Sequence, residues 1–265
     1  MQQDLVSLWE RVREQSPLVH NITNYVVMNT TANALLAVGA SPVMAHAEEE
    51  VVDMVNIASS LVINIGTLSP RWVSAMKLAM ARAKQLEKPI VLDPVGAGAT
   101  PYRNQVLQEL LEIATPSVIR GNASEVMALV ATQRQTKGVD STDSSLDAIE
   151  AGKFLVSKLH CTVCISGAVD IILAPSHQVH LKNGDPLMAK VTGMGCTATA
   201  LIGAFCGVTD DTFLATTAAM AVLGVTGELA AKEAQGPGSM QLRLLDHLYS
   251  MEPSALTEYL SLTHV

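Results

Sequence analysis

Polar side chains that can bind ligands follow three hydrophobic runs of this sequence. The run PIVLD ends in Asp93, the run SVIRG carries Arg120 and leads to Glu125, and the run TVCIS ends in Ser166. Each run has the length and apolar composition of a buried strand. In open α/β sheets, ligands bind beyond the carboxyl ends of the strands. A single aspartate at a strand end could equally be a helix cap. The repetition of polar residues after three such strands is what predicts a ligand site.

The strongest single motif is the glycine-rich segment Val191–Ala200, VTGMGCTATA. Gly193 and Gly195 allow close approach of the backbone and unusual dihedral angles. Cys196 follows at the start of a predicted helix, whose N-terminus offers unpaired amides and the positive end of the helix dipole. These features predict a cradle for a developing anion; the alternative is a plain turn before a helix. The segment has neither the G-K-[ST] of a P-loop nor a dinucleotide-binding fingerprint.

The elements that must position these groups alternate between strand and helix from Pro17 to Gly167. This alternation is typical of an α/β fold with a largely parallel sheet covered by helices. Short separations between the next strands predict hairpins and a late antiparallel edge; these strands are Thr162–Gly167, Asp170–Pro175 and Gln178–Lys182. Helices fill most of the C-terminal third. No repeat or linker interrupts the chain, so we predict a single domain over residues 1–265.

Several boundaries are predicted from local patterns. We expect helices over Asn24–Val38 and over Glu48–Ser59, the second with an acidic first turn that complements the helix dipole. The polar stretch Thr132–Ser145 is predicted as a surface loop. The apolar region Cys196–Ala230 contains charged residues and is predicted as two buried helices, not as a membrane span.

The composition excludes several classes of partner. The chain has a formal net charge of −8 and a pI of about 5.3, so it offers no basic stripe for nucleic acid or an anionic membrane. Its N-terminus lacks the continuous apolar stretch of a signal peptide. Cys161 and Cys164 lie three apart in a predicted strand and face opposite sides, which argues against a shared metal or a disulfide. We therefore expect the cytoplasm.

Five segments, in order along nearly the whole chain, resemble the hydroxyethylthiazole kinase family. They are PLVHNITNYVVM, GASPVMA, LDPVGAG, RGNASE and GMGC, and their combination is more specific than any one of them. This family belongs to the ribokinase-like superfamily. The resemblance implies a central, mostly parallel sheet flanked by helices, and a homotrimer with active sites between subunits. It also implies ATP-dependent phosphorylation of the hydroxyl of 4-methyl-5-(2-hydroxyethyl)thiazole in thiamine salvage.

The resemblance also assigns residues to the two substrates. Asn21, Met44 and Gly193 would contact the thiazole, with Met44 acting partly through its backbone. Arg120 and Ser166 would contact ATP and its phosphates.

Two further assignments concern the transferred group. Asp93 and Glu125 would organise Mg²⁺, directly or through water. Four consecutive residues would form an anion hole around the phosphoryl group: Gly193, Met194, Gly195 and Cys196.

Cys196 stands where many relatives in the superfamily carry an aspartate as general base, although cysteine is usual in the thiazole kinases. A thiol at a helix N-terminus is expected to have a lowered pKa, which nearby nucleotide phosphates would oppose. Because phosphoryl transfer is largely positioning and charge neutralisation, a weak base can suffice. We hypothesise that Cys196 orients the hydroxyl and accepts its proton late. The alternative is that Cys196 fills space.

Three other functions are compatible with parts of the sequence. Another ribokinase-like kinase, acting on a pyrimidine alcohol or a sugar, is disfavoured by the HNITN segment and by Cys196. A non-catalytic sensor of a thiazole or nucleotide is disfavoured by the presence of Asp93 and Glu125. A purely structural oligomer leaves the glycine-rich cradle unexplained.

Overall fold

A computed structural model describes residues 1–134 and 144–265. The helices are α1 Gln2–Gln15, α2 Met28–Val38, α3 Val51–Ile57, α4 Pro70–Gln85, α5 Pro101–Ile113, α6 Ala123–Arg134, α7 Ser144–Leu159, α8 Met194–Cys206, α9 Thr212–Glu233, α10 Pro237–Ser250 and α11 Leu256–Tyr259, with 3-10 helices at Pro186–Lys190 and Pro253–Ala255. The strands are β1 Leu18–Ile22, β2 Ser41–Val43, β3 Ser60–Asn64, β4 Ile90–Asp93, β5 Val118–Asn122, β6 Thr162–Ser166, β7 Asp170–Ala174, β8 His177–Leu181 and β9 Leu262–His264.

The strands form a nine-stranded sheet in the order β2-β1-β3-β4-β5-β6-β7-β8-β9. The neighbours from β2 to β6 are parallel, and their carboxyl ends therefore meet at one edge. The strands β7, β8 and β9 add to β6 in antiparallel fashion. The predicted α/β fold with a late antiparallel edge is confirmed.

Helices cover both faces of the sheet, and alternate residues of each central strand face opposite layers. Val62 of β3 packs in a core with α1, α2 and α8 to α11, whereas Leu61 and Ile63 pack in a second core with α3 to α7. On β4, Val91 likewise packs in the first core and Leu92 in the second. The sheet is thus buried on both faces, as expected of parallel strands.

Two predicted helices begin later than expected, and one strand was not predicted. Helix α2 begins at Met28, because the Asn24 side chain accepts a hydrogen bond from the amide of Val26 (3.1 Å) and holds the preceding residues in turns. The residues before Val51 form a turn outside α3. Strand β9 lies in the C-terminal third, where helices were expected, and pairs with β8 at the sheet edge.

The predicted loop over residues 132–145 lies largely outside the described residues. Its two ends do not fit the prediction, because α6 continues to Arg134 and α7 begins at Ser144.

The most apolar segments are core helices, as predicted. Among the described residues, Thr212–Glu233 is the one helix long and apolar enough to cross a membrane, and 83% of its apolar window is buried inside the protein. Cys161 packs in the core on the α3–α7 side, and Cys164 in the core on the opposite side. Both are free thiols whose pKa is raised by burial, and their places in the two separate cores fit the prediction that they face opposite sides.

Candidate active site

Asp93 is the buried carboxylate at the centre of the carboxyl edge. It is 0% exposed, and its Oδ2 accepts hydrogen bonds from Asn64 Nδ2 and from Thr199 Oγ1, both at 2.8 Å. Its Oδ1 has no hydrogen-bond partner and lies 3.9 Å from Arg120 Nη1. Burial raises the pKa of Asp93 to about 6, although Arg120 and the two donors oppose that rise. One carboxylate oxygen therefore remains free to accept a ligand.

Arg120 connects Asp93 to the neighbouring strand and to α8. Its Nη2 donates a hydrogen bond to Ser166 Oγ, on the adjacent strand β6. Its buried Nε has no hydrogen-bond partner. A Cβ atom at Gly195 would lie 2.8 Å from Nη2 and 2.9 Å from Cζ, and closer still to Nη1. The absence of a side chain at Gly195 is thus what allows the guanidinium to lie against the start of α8.

The start of α8 presents free backbone amides, as its sequence predicts. Gly193 is the N-cap in the left-handed conformation (φ 79°), and no side chain caps the helix there. A Cβ atom at Gly193 would lie 3.2 Å from Val27 Cβ and closer still to Val27 Cγ1. The first amides of a helix lack intrahelical acceptors and carry the positive end of its dipole. Gly193 is thus the N-cap of α8, and Met194, Gly195 and Cys196 form its first turn.

A cavity of about 650 Å³ opens beside Arg120 and the start of α8. Its wall includes Ser166, Asp170 and Met194, and the 3-10 helix Pro186–Lys190 closes one side. Burial raises the pKa of Asp170 to about 6, although the Gly167 amide donates to its Oδ1 at 3.0 Å. This volume falls within the usual range of cofactor and small-molecule sites.

Glu125 has a clear structural role at the start of α6. Its Oε2 accepts from the amide of Asn122, and its own amide donates to Asn122 Oδ1, both at 2.9 Å, which forms a reciprocal helix cap. Its Oε1 accepts from the amide of Gly96 at 2.9 Å. Its charge also contributes to the raised pKa of Asp93, so the two carboxylates interact. Within the described residues, no group of three or more His, Cys, Asp or Glu side chains could hold a metal.

Cys196 lies in the first turn of α8 and is partly buried. Asn24 Nδ2 donates a hydrogen bond to its Sγ at 3.4 Å. The expected lowering of its pKa is wrong: burial and the charge of Asp93 raise the pKa of the thiol, against amide donors and Arg120. Cys196 is therefore mainly a neutral thiol at pH 7.

The residues predicted to contact the thiazole lie at the β1–β2 end of the sheet. Asn21 is 0% exposed and donates through Nδ2 to Val19 O at 3.0 Å, while its Oδ1 has no partner. Met44 follows β2, and its carbonyl interacts with His46 Nδ1 at 3.1 Å. Within the described part of the chain, no hydrogen bond joins Asn21 or Met44 to Asp93 or Arg120.

Sequence reasoning missed three polar residues that hold the site together: Asn24, Asn64 and Thr199. Asn64 carried the same signal as Asp93, since it is a polar residue at the end of a hydrophobic run, LVIN. Asn24 and Thr199 belong to the segments HNITN and GMGCTAT that were recognised for other residues.

Arg103 was also missed, and nothing in its sequence neighbourhood marks it. Its guanidinium donates to the carbonyls of Ile65 (2.5 Å), Val95 (2.7 Å) and Gly66 (2.9 Å). It thereby joins the loop after β3 to the turn after β4, the two segments that follow Asn64 and Asp93.

Comparisons with known proteins concern the sequence and fold of the whole chain. Residues 9–254 match the model of the hydroxyethylthiazole kinase family. A hydroxyethylthiazole kinase of Leptospira biflexa serovar Patoc is 54% identical over 252 residues, which cover 95% of this chain and 94% of that protein. The structure of a hydroxyethylthiazole kinase from Pyrococcus horikoshii OT3 is 43% identical, with a TM-score of 0.92 and 99% of both chains covered. A ribokinase-like superfamily protein from Enterococcus faecalis V583, at 16% identity, shares the fold (TM-score 0.66; 98% and 95% covered).

Proposed function

This chain belongs to the hydroxyethylthiazole kinase family, and we propose that the groups gathered around Arg120 and the start of α8 carry out its reaction. It phosphorylates the hydroxyl of 4-methyl-5-(2-hydroxyethyl)thiazole, with ATP as co-substrate, in thiamine biosynthesis. The observation that carries the proposal is the position of Arg120 against Gly195, since both residues line the cavity of about 650 Å³. A cation and free amides converge there on the space that a transferring phosphoryl group needs.

The cavity is the proposed nucleotide site. Arg120 and Ser166 would bind the phosphates, since their side chains already hydrogen-bond to each other at its wall. Gly193, Met194, Gly195 and Cys196 would form the anion hole through their amides. Such preorganised donors stabilise charge where it develops, and phosphoryl transfer depends mainly on positioning and charge neutralisation. Attack by the hydroxyl oxygen forms the new phosphorus–oxygen bond as the bond to ADP breaks.

The thiazole would bind on the other side of Gly193, toward β1 and β2. Asn21 Oδ1 is a buried polar atom without a partner, which suits a substrate donor. Met44 would contribute its side chain and backbone at the end of β2. Gly193 lies against Val27, and only a residue without a side chain allows that close approach.

Mg²⁺ fits the carboxylates present, and we propose that Asp93 and Glu125 would hold it. Asp93 Oδ1 is buried without a hydrogen-bond partner, and its charge interacts with that of Glu125. Two protein carboxylates are enough, because Mg²⁺ in kinase sites takes its other ligands from water and substrate phosphates. The ion would neutralise phosphate charge. Glu125 would act through water, since both its oxygens already accept backbone hydrogen bonds.

Cys196 would orient the acceptor hydroxyl. Because its pKa is raised, only a minor thiolate fraction is available to accept the hydroxyl proton late in the transfer. Cys196→Asp separates the two roles, since a carboxylate is ionised where a thiol is not. A lower kcat in this variant contradicts the view that base strength limits the rate, and a higher kcat supports it.

We further propose a cytoplasmic homotrimer of one-domain subunits with shared sites. A single sheet runs through the described residues, which supports one domain over residues 1–265. Tyr25 and Val26 are each 63% exposed although they adjoin the buried Asn24, so an apolar surface borders the site. Size-exclusion chromatography with light scattering tests this assembly. A monomer that remains fully active contradicts the shared site.

A substrate panel tests the proposed reaction. ADP release with Mg²⁺-ATP is measured with the thiazole alcohol, a pyrimidine alcohol and a sugar. Turnover selective for the thiazole alcohol supports the proposal. Turnover only with another alcohol would mean that the protein is a ribokinase-like kinase but that the thiazole alcohol is not its substrate. Ligand binding without any turnover points to a sensor.

A further inference from the structure

A buried chain of amides links the sulfur of Cys196 to the carboxylate of Asp93. Asn24 Nδ2 donates both to Cys196 Sγ at 3.4 Å and to Asn64 Oδ1 at 2.9 Å. Asn64 Nδ2 in turn donates to Asp93 Oδ2 at 2.8 Å. The exposed fractions of Asn24 and Asn64 are only 4% and 1%. Asn24 follows β1 and Asn64 ends β3, so the two amides meet only in the folded site.

Backbone amides fix which end of each side chain points toward the sulfur and the carboxylate. The amide of Val26 donates to Asn24 Oδ1 at 3.1 Å, and the amide of Gly66 donates to Asn64 Oδ1 at 2.9 Å. Each oxygen is therefore occupied as an acceptor, and each Nδ2 must serve as the donor. The chain consequently offers hydrogens to Cys196 and to Asp93, and accepts none from them.

Space for Asn24 depends on a residue without a side chain. A Cβ atom at Gly66 would lie 2.6 Å from Asn24 Nδ2 and 2.8 Å from its Cβ and Cγ. Gly66 has no positive φ, so its backbone conformation alone does not require glycine. The close approach of Asn24 is what excludes a side chain at this position.

We propose that Asn24 is a positioning residue that holds the Cys196 sulfur as a hydrogen-bond acceptor, with Asn64 and Gly66 fixing the direction of its amide. The inference rests on the proposed function, in which Cys196 orients the acceptor hydroxyl. Because Asn24 donates to the sulfur, the single proton of the thiol is left for another partner. In the working site that partner is the hydroxyl oxygen of the thiazole alcohol.

Two charged groups also act on the sulfur, and their effects must be separated from that of Asn24. Asp93 on β4 raises the pKa of the Cys196 thiol, and Arg120 on β5 lowers it. Burial raises it further, while the donors on Asn64 and Asn24 lower it. Removing the Asn24 amide leaves both charges in place, so a change in the thiol can be assigned to the lost donor.

The direct test is the pH dependence of Cys196 alkylation by iodoacetamide in the full protein without substrates. The other three cysteines are buried, and peptide mass identifies the modified residue. In Asn24→Ala the midpoint is expected to rise by about one pH unit, since a hydrogen bond to a charged acceptor stabilises it by about that amount. The midpoint is compared, not the rate at one pH, because nucleophilicity also changes with pKa.

Gly66→Ala provides a second route to the same result. The added methyl group displaces the Asn24 amide without deleting it, so the midpoint is again expected to rise. Asn33→Ala is the matched control, since Asn33 is exposed and donates only to Asn29 Oδ1 on the same helix. Gly238→Ala is the control for added volume, because nothing lies within 4 Å of a Cβ atom there.

Kinetics distinguish positioning from a merely structural role. For Asn24→Ala we expect kcat to fall about tenfold while KM for ATP stays within about twofold, the pattern of an interaction made in the transition state. An unchanged alkylation midpoint in both variants, with melting temperatures near wild type, overturns the proposal. The alkylation test needs no turnover. If wild type fails to phosphorylate the thiazole, the proposed function is wrong, but the alkylation midpoints still show whether Asn24 donates to the Cys196 sulfur.

Discussion

Gly195→Ala is expected to disable the proposed phosphate site without weakening the fold. The new methyl carbon would lie 2.8 Å from Arg120 Nη2 and 2.9 Å from Cζ, where ordinary contacts begin at 3.4 Å. Arg120 is only 11% exposed and donates a hydrogen bond to Ser166, so its guanidinium can make room for the methyl group only by leaving its present position. It must move by about 1 Å, and a displacement of that size at a reacting centre costs about 100-fold in rate.

Stability should change in the opposite sense. Gly195 lies inside the first turn of α8, where alanine is favoured over glycine by about 0.5–1 kcal/mol. The flexible end of Arg120 can shift more easily than packed core atoms can. We therefore expect a melting temperature equal to or above that of wild type, together with a kcat/KM for ATP reduced about 100-fold.

Coupled ADP release at varied ATP, with thermal unfolding of the same samples, measures both effects. Gly203→Ala is the matched control on the same helix, because its Cβ atom would lie 2.5 Å from Val62 Cγ2 in the core. That variant is expected to lose stability while keeping its KM for ATP. Wild-type kcat/KM in Gly195→Ala refutes the reasoning, and so does a loss of activity that merely follows a loss of stability.

Three further predictions address the surrounding groups. Asp93→Asn should abolish most activity yet raise the free energy of unfolding at pH 8. The native pKa of Asp93, about 6, lies above the ordinary 3.8, so its charged form lowers the free energy of unfolding by up to about 3 kcal/mol above pH 6. The difference between the urea midpoints of variant and wild type should therefore shrink toward pH 4. Arg103→Ala should lower the free energy of unfolding by about 2 kcal/mol, because three carbonyls lose a charged donor, and Arg103→Lys should restore part of that loss. Equal urea midpoints for wild type and both variants contradict a stabilising role for Arg103. Ser166→Ala should raise KM for ATP about fivefold by releasing Arg120, and an unchanged KM removes Ser166 from the nucleotide site.

Much of the fold can be predicted because local and tertiary signals agree. Helix α5 shows this agreement, since Thr100 caps it by accepting a hydrogen bond from the Arg103 amide (3.2 Å) and Pro101 occupies its first position. The strands β3 to β6 are apolar runs bounded by breakers. Strand β9 could not be predicted, because a three-residue edge strand is defined by its partner β8 more than by its own sequence.

The site was predictable in part, for a similar reason. Asp93 and Ser166 could be expected to meet Arg120, because the first two end parallel strands and Arg120 lies two residues before the end of the strand between them. The partners of Arg103 are backbone carbonyls, which carry no residue-specific signal. The pKa of Cys196 was predicted in the wrong direction because burial and the charge of Asp93 arise only when the strands assemble.

The central claim is that Arg120 and the start of α8 carry phosphoryl transfer from ATP to the thiazole alcohol. The most direct measurement quantifies ADP and phosphorylated thiazole together, by mass spectrometry, for wild type and for Arg120→Ala. If this claim holds, wild type forms equal amounts of both products, and a folded Arg120→Ala variant loses both by about 1,000-fold. ADP without phosphorylated thiazole from wild type, or undiminished transfer by folded Arg120→Ala, contradicts it.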